Sequence, residues 1–306
     1  MNYEDELISK IAWLYYIDKL KQQTIADRLG ISRMRVVRMI DKAQQQNIIQ
    51  FKIRRDLQTK ISIEQDLIKK YKLQDAMVVP TSTSTKIEDI NTNVATAASM
   101  YLDDRLDDIN ILNIGYGDTP IKTINKLTNL SDKVINFVTL TGGVSLYLLD
   151  QYTLMKNVNF YLIPAPLIAS TNEMVRALKK EKSVIEISKM NSNASYTIVG
   201  IGGMNDEATI INNGIINKNE FNLLKMKGSV GDILSHFLDT DGNIISCDLY
   251  ENLISISMNE FKKLQKVIGV AAGKAKRDAI RAALRGGYID ILITDQDTAE
   301  WLNLNV

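Results

Sequence analysis

The sequence has one cysteine, Cys247, and one histidine, His236. A lone cysteine excludes an internal disulfide framework and a cysteine-rich metal site. A lone histidine excludes zinc motifs built on a histidine pair. No apolar stretch approaches the roughly 20 residues of a membrane span, and Met1–Lys10 is too acidic and polar for a signal peptide. The dinucleotide fingerprint Gly-x-Gly-x-x-Gly and the phosphate-loop Gly-Lys-Ser/Thr are absent as well. The expectation is a cytoplasmic protein with no metal, no cofactor and no membrane partner.

What is present is ordinary globular material, 45% hydrophobic and 24% charged over 306 residues. That length fits one small module and one large domain. The net charge of +1 is unevenly spread. Residues 1–55 hold 11 Lys+Arg against 6 Asp+Glu, and the remainder 26 against 30. A basic head on a mildly acidic body suits contact with a polyanion, although chance clustering of solvated charge gives the same asymmetry.

In the head, Leu7, Ile8, Ile11, Leu14 and Tyr15 form an apolar stripe at helical spacing, predicting a helix over Glu4–Asp18. The next stretch, Gln22 to Ile40, reads as two helices around a tight turn. Ala26 is small where helices cross closely, Gly30 suits a positive φ, and Ser32 is a good N-cap. Ile25, Leu29, Ile31, Val36 and Ile40 supply the interior. The second helix then presents Arg33, Arg35 and Arg38 near its N-terminal end, where a recognition helix meets the major groove. Gln23, Thr24, Ser32, Arg33, Met34, Arg35 and Arg38 are the candidate DNA-binding residues. Residues 47–55 alternate apolar and polar side chains, either a wing carrying Lys52, Arg54 and Arg55 to the DNA backbone or a bare linker strand. The expected domains are 1–55, a winged helix-turn-helix, and 56–306, an effector and oligomerisation domain.

Beyond the head, Ile61–Leu73 reads as a helix, Ala76–Val79 as a strand, and Thr81–Thr85 as a polar loop. Strand-like runs follow at Ile109–Ile114, Val134–Leu140, Val158–Ile163, Tyr196–Ile201, Lys266–Ala271 and Ile289–Thr294, with helical stretches such as Asn91–Leu106, Ile121–Leu130 and Lys274–Leu284. This alternation implies an α/β fold with a mostly parallel sheet, whose ligands bind beyond the carboxyl ends of its strands.

Glycines mark several of those ends. Gly115-Tyr116-Gly117-Asp118-Thr119-Pro120 reads as a Gly-rich turn with Thr119 as N-cap and Pro120 at the first helical position. Such a turn makes an anion site from backbone N–H groups. Thr141-Gly142-Gly143 and Gly200-Ile201-Gly202-Gly203 follow other strands; each alone is as well explained by a tight turn. Asp232, after Gly228–Gly231, either accepts bonds from sugar hydroxyls or caps its own segment. Lys276 either neutralises a phosphate or is one more exposed lysine. His236 lies in an apolar run and reads as a packed histidine. The helix that Lys276 opens carries Ala272, Ala275, Ala279 and Ala283 at helical spacing, so its inner face can approach the sheet closely, and Gly286-Gly287 stops it.

Taken in order, the blocks Thr24–Ile40, Ile114–Thr119, Leu140–Gly143, Tyr161–Leu167, Val199–Gly202, Gly228–Asp239, Lys276–Tyr288 and Ile291–Asp295 make the chain resemble the SorC family of sugar-responsive transcriptional regulators along nearly its whole length. The resemblance implies an effector domain like the sugar-phosphate isomerases, a phosphorylated sugar as effector, and dimers assembling into tetramers on operator DNA. It suggests Gly117, Thr119 and Lys276 near the phosphate and Asp232 near the hydroxyls. The candidate effector residues are Gly115, Gly117, Asp118, Thr119, Thr141, Gly142, Gly143, Asp232 and Lys276. The chain departs from the family's pattern at Ala272-Gly273, where Gly-Gly is usual, and Asp118 is an awkward neighbour for a phosphate. No nucleophile–base pair is evident, so no catalytic residue is assigned. The alternatives are a sugar-phosphate isomerase-like enzyme with an accessory DNA-binding head, using Asp232 and Lys276, and an architectural DNA binder with an inert oligomerisation domain.

Overall fold

A computed structural model describes residues 3–46, 48–49, 55–80, 86–147 and 157–305. Its contacts divide the chain into two compact units, Met1–Gln58 and Thr59–Val306.

The first unit contains α1 (Tyr3–Tyr16), α2 (Gln22–Leu29) and α3 (Arg33–Gln45). The periodic residues read from the sequence do pack together. Ile8, Ile11, Leu14, Ile25, Ala26, Val36, Met39, Ile40 and Ala43 form one buried cluster. Each large aliphatic side chain so buried contributes about 1.5–3 kcal/mol, so a unit this small depends on nearly all of them. Gly30 ends α2 in the left-handed region (φ 63°), and Ser32 caps α3 by accepting the Arg35 N–H at 3.2 Å. Most of the expected wing, residues 47 and 50–54, lies outside the described residues. Arg55, expected at the wing's end, instead opens helix α4 (Arg55–Tyr71). The polar loop expected at Thr81–Thr85 also lies outside them.

The second unit continues from α4 with β1 (Asp75–Val79), α5 (Ile87–Asp103), β2 (Ile109–Ile114), α6 (Asp118–Leu130), β3 (Val134–Thr139) and β4 (Val158–Tyr161). Next come α7 (Asn172–Leu178), α8 (Lys182–Met190), β5 (Tyr196–Val199), β6 (Gly202–Gly203), α9 (Thr209–Asn212), α10 (Lys218–Met226), β7 (Gly231–Ile233) and β8 (His236–Leu238). The chain closes with α11 (Leu249–Asn252), α12 (Met258–Phe261), β9 (Val267–Val270), α13 (Arg277–Arg285), β10 (Ile291–Asp295) and α14 (Gln296–Leu304).

Among the described residues, seven strands form one parallel sheet in the order β1-β10-β9-β5-β2-β3-β4. The central strands are buried on both faces: β5, β9 and β10 carry no exposed residue. That is why they read as continuous apolar runs rather than alternating ones. One face packs Leu67, Val199, Ile280 and Leu302, and the other packs Val94, Leu112, Ile198 and Ile293. Strand order reverses at β2: the chain steps outward through β3 and β4, then returns to β2's other side with β5. The crevice between β2 and β5 is therefore the switch point where such sheets take ligands. A small antiparallel sheet, β6-β7-β8, stands beside it.

Two local expectations are corrected. Helix α6 begins at Asp118 with Gly117 as N-cap, so Thr119 and Pro120 lie inside its first turn and Thr119 is not the cap. Gly117 takes φ 134°, which lets the chain turn directly from β2 into the helix. Lys276 closes a single 3-10 turn, Lys274–Lys276, and α13 starts one residue later.

Candidate functional site

In the first unit, α3 is two-faced. Val36, Met39, Ile40 and Ala43 are buried, whereas Arg33, Met34, Arg35 and Arg38 are exposed, Met34 by 62%. Gln23 and Thr24, at the start of α2, are exposed as well, as is the capping Ser32. Gln23 is braced by donating to Asp27 Oδ1 at 2.8 Å. The far end of α3 is tied to α1 by the ion pair Lys42–Glu4 at 2.6 Å, which holds the Glu4 carboxyl below its usual range. All seven residues expected at a DNA interface are thus exposed, on α2, on α3 and at its cap.

In the second unit a cavity of about 80 Å³ lies at the carboxyl ends of β2 and β5, walled by β6 and β7. Gly117, Asp118, Thr119, Asp232 and Lys276 all line it, together with Gly200, Gly202 and Gly203. It adjoins a larger depression of about 880 Å³ that shares Asp118, Asn205, Glu207, Thr209 and Lys276. The inner space is of phosphate size, and the outer one has room for the rest of a small ligand.

The electrostatics of the inner cavity are set by burial. Asp232 is 8% exposed, and desolvation pushes its carboxyl up to about 6. The Ser235 N–H, donating to Asp232 Oδ2 at 3.1 Å, and the charge of Lys276 oppose that rise without cancelling it. Burial likewise lowers the Lys276 ammonium, countered by the charges of Asp118 and Asp232. Gly202 is glycine for a steric reason, since a Cβ there would overlap Asp232 Oδ1. Thr119 is buried and its Oγ1 has no hydrogen-bond partner. The Asp118 carboxylate is engaged, accepting from Lys122 at 2.9 Å and from Asn91 at 3.1 Å. That pairing partly neutralises the charge that makes Asp118 an awkward neighbour for an anion.

The glycines after β3 behave differently. Thr141, Gly142 and Gly143 do not line this cavity. The Gly142 N–H donates to Ile254 O and the Gly143 N–H to Ala165 O, both at 2.8 Å. The Thr141 hydroxyl lies 2.7 Å from the Tyr147 hydroxyl. Gly142 passes so close to the Ala165–Pro166 backbone that no side chain would fit. Gly115 is not in the lining either; a Cβ there would press on Leu234 at 2.7 Å. Ala272 is fully buried in the apolar cluster with Val94 and Ala98. His236 is partly buried, its Nδ1 3.0 Å from Leu234 O and its ring stacked on Tyr250.

Sequence reasoning missed Asn205, Glu207 and Thr209, which lie in the loop after β6 and at the start of α9. No motif marks them. It also missed the hairpin between β7 and β8, whose turn residues Leu234 and Ser235 both have positive φ, 52° and 63°. Such turns are usually Asn-Gly, so the sequence carried no hairpin signal. The unusual backbone delivers the Ser235 N–H to Asp232 and its hydroxyl to Tyr116 at 2.6 Å.

Comparison with known proteins adds a lineage. Residues 55–302 match a family model described as "Putative sugar-binding domain". The chain is 36% identical over 300 residues to the "Transcriptional regulator LsrR" of Escherichia coli (strain K12), covering 97% of this chain and 94% of that one. It is 33% identical over 300 residues to the protein of that name from Enterobacter sp. (strain 638), covering 97% and 92%. Among solved structures, the full-length sorbitol operon regulator SorC from Klebsiella pneumoniae superimposes with a TM-score of 0.70 at 26% identity, covering 99% of this chain and 100% of that one. A DeoR family transcriptional regulator from Listeria monocytogenes gives a TM-score of 0.71 at 28% identity, covering 80% and 99%.

Proposed function

This chain belongs to the SorC family of sugar-binding transcriptional regulators, and from that premise we propose that a phosphorylated sugar or polyol, held at the switch point of its parallel sheet, controls how tightly its helix-turn-helix grips operator DNA. The observation that carries this reading is the convergence on one phosphate-sized cavity of Lys276, Asp232, Thr119 and the Gly117 turn opening α6. A helix start and a lysine attract an anion, and the first-turn amides of a helix have no partner within it. The carboxylates match hydroxyl donors.

The charge balance narrows the effector further. Among the residues lining the inner cavity, Lys276 is the one cation, against Glu207, Asp232 and an Asp118 already paired with Lys122. That balance suits a single phosphate on a hydroxyl-rich carbon chain and disfavours a second phosphate in the same space. The Asp232 carboxylate would accept from hydroxyls, Lys276 and the first-turn amides of α6 would take the phosphate, and Asn205, Glu207 and Thr209 would meet the remainder.

On the DNA side, Arg33, Arg35 and Arg38 would reach base edges or phosphates in the major groove, with Gln23, Thr24 and Ser32 bonding the backbone. The effector would act by favouring one arrangement of the heads within a homo-oligomer, a dimer or tetramer. The site is read as a sensor rather than an enzyme, because the relatives matched along 97% of the chain are named transcriptional regulators. Acting on operator DNA, the protein would work in the cytoplasm. Separately, among the described residues no helix is long and apolar enough to cross a membrane.

A thermal-shift panel pairing each sugar or polyol with its phosphate ester tests the effector reading. A ligand at about 100 times its Kd stabilises the fold by roughly 2.7 kcal/mol. The expected result is a raised midpoint with a phosphate ester and none with its free sugar. Response to free sugars alone would remove Thr119 and Lys276 as phosphate contacts.

A further inference from the structure

A second cavity, of about 650 Å³, lies between α8 and the stretch 254–265, with Thr197 of β5 in its lining. It shares no lining residue with the cavity around Lys276 or with the depression beside it.

Three features set it apart from a packing gap. Its walls are partly apolar, with Leu140, Ile163 and Ile254 among them. Two of its polar lining residues carry shielded oxygens without a hydrogen-bond partner, Asn191 Oδ1 and Ser255 Oγ. Asn191 is only 5% exposed, and a polar group so buried and unpaired is costly, which makes it rare without a function or a bound partner. Beneath them the buried Thr197 hydroxyl accepts from Asn113 at 3.1 Å, and Asn113 Oδ1 also has no partner. Finally, the lining is basic. Lys179, Lys189 and Lys263 face one carboxylate, Glu260, whose Oε2 already accepts from the Ser257 N–H at 3.2 Å and from its hydroxyl at 2.6 Å in the cap of α12.

An amide oxygen accepts but never donates, so a ligand that meets Asn191 Oδ1, which is shielded until its side chain turns towards the cavity, must bring an O–H or N–H. Three lysines against one engaged carboxylate call for an anion. We propose that this cavity is a second ligand site, for a small anion that also bears hydroxyl groups: a hydroxy acid or a polyol phosphate. With no lining residue in common, this site and the Lys276 cavity stand or fall separately.

The test uses the full-length chain carrying Lys276→Ala, which silences the first cavity, titrated calorimetrically with glycerate, gluconate and glycerol 3-phosphate. The expected result is saturable binding of at least one, the first two standing for the carboxylate source and the third for the phosphate source. Adding Lys189→Glu with Lys263→Glu, both exposed positions, weakens that binding by about tenfold or more. A thermal midpoint like that of Lys276→Ala reports that this variant is folded; should it fall, Lys179→Glu alone is read in the same way. Absence of binding by all three probes, or binding indifferent to the lysine reversals, overturns the proposal. A change in oligomeric mass on lysine reversal, without binding of any probe, also overturns it and assigns the cavity to a contact between copies of the chain.

Discussion

Replacing Asp232 by Asn exposes the cost at which the cavity around Lys276 is built. In the free protein the Asp232 carboxyl is pushed up to about 6, so the folded state holds its proton more tightly than an unfolded chain does. A raised carboxylate contributes stability that is present at low pH and lost as pH rises from the unfolded value, near 4, to the folded one. Above pH 6 that loss amounts to about 3 kcal/mol as an upper figure, from 1.36 kcal/mol for each pH unit separating the two values. Asn cannot ionise and still accepts the Ser235 N–H through its carbonyl oxygen. Asp232→Asn is therefore expected to be more stable than the wild type above pH 6, with the advantage shrinking towards pH 4. A unit of this size shifts its midpoint by roughly 2–4 °C per kcal/mol, so the gain at pH 7.5 is several degrees. The same change removes a hydroxyl acceptor, so effector affinity falls while stability rises. Thermal denaturation of both proteins between pH 4.5 and 8, followed by effector titration at pH 7.5, reads both quantities. A variant less stable than wild type at pH 7.5, or a stability difference that does not change with pH, would refute this account of the carboxylate.

Arg35→Ala and Arg38→Ala weaken operator binding by about 1–3 kcal/mol each and leave effector affinity intact, as measured by fluorescence anisotropy at fixed salt. A loss spread evenly over all DNA sequences, with a shallower salt dependence, identifies that arginine as a phosphate contact. Gly202→Ala places a methyl on the Asp232 carboxylate and costs about 1–3 kcal/mol of stability by overpacking; effector response is lost, and a fully responsive Gly202→Ala protein would contradict the geometry. Ser32→Ala removes the cap of α3 and destabilises the first unit by about 1 kcal/mol, read by chemical denaturation of that unit's helix signal.

Much of the fold was legible because its signals are local. Strand β2 runs over Ile109–Ile114 as its β-branched pattern implies, and the Ser32 cap and the Gly30 turn follow from side-chain chemistry alone. The site was legible only in part, because a glycine after a strand has two physical causes that look alike in sequence. Gly202 is small so that the buried Asp232 carboxylate can lie against it, whereas Gly142 is small so that the Ala165–Pro166 backbone can pass. Only the path of distant chain segments separates the two, and that is why the sequence pattern groups Thr141-Gly142-Gly143 with a cavity it does not line. The Leu234-Ser235 turn was invisible for the opposite reason. Its positive φ values are imposed by tertiary contacts to Asp232 and Tyr116, not by turn-forming residues.

Titration of operator DNA, in the presence and absence of the phosphate ester that raises the midpoint, tests the central claim most directly when done on wild type and Lys276→Ala side by side. The account predicts that the ester changes wild-type operator affinity, that the free sugar does not, and that Lys276→Ala binds DNA normally but no longer responds. An ester that shifts operator affinity equally in both proteins would contradict it, because regulation would then not pass through this cavity.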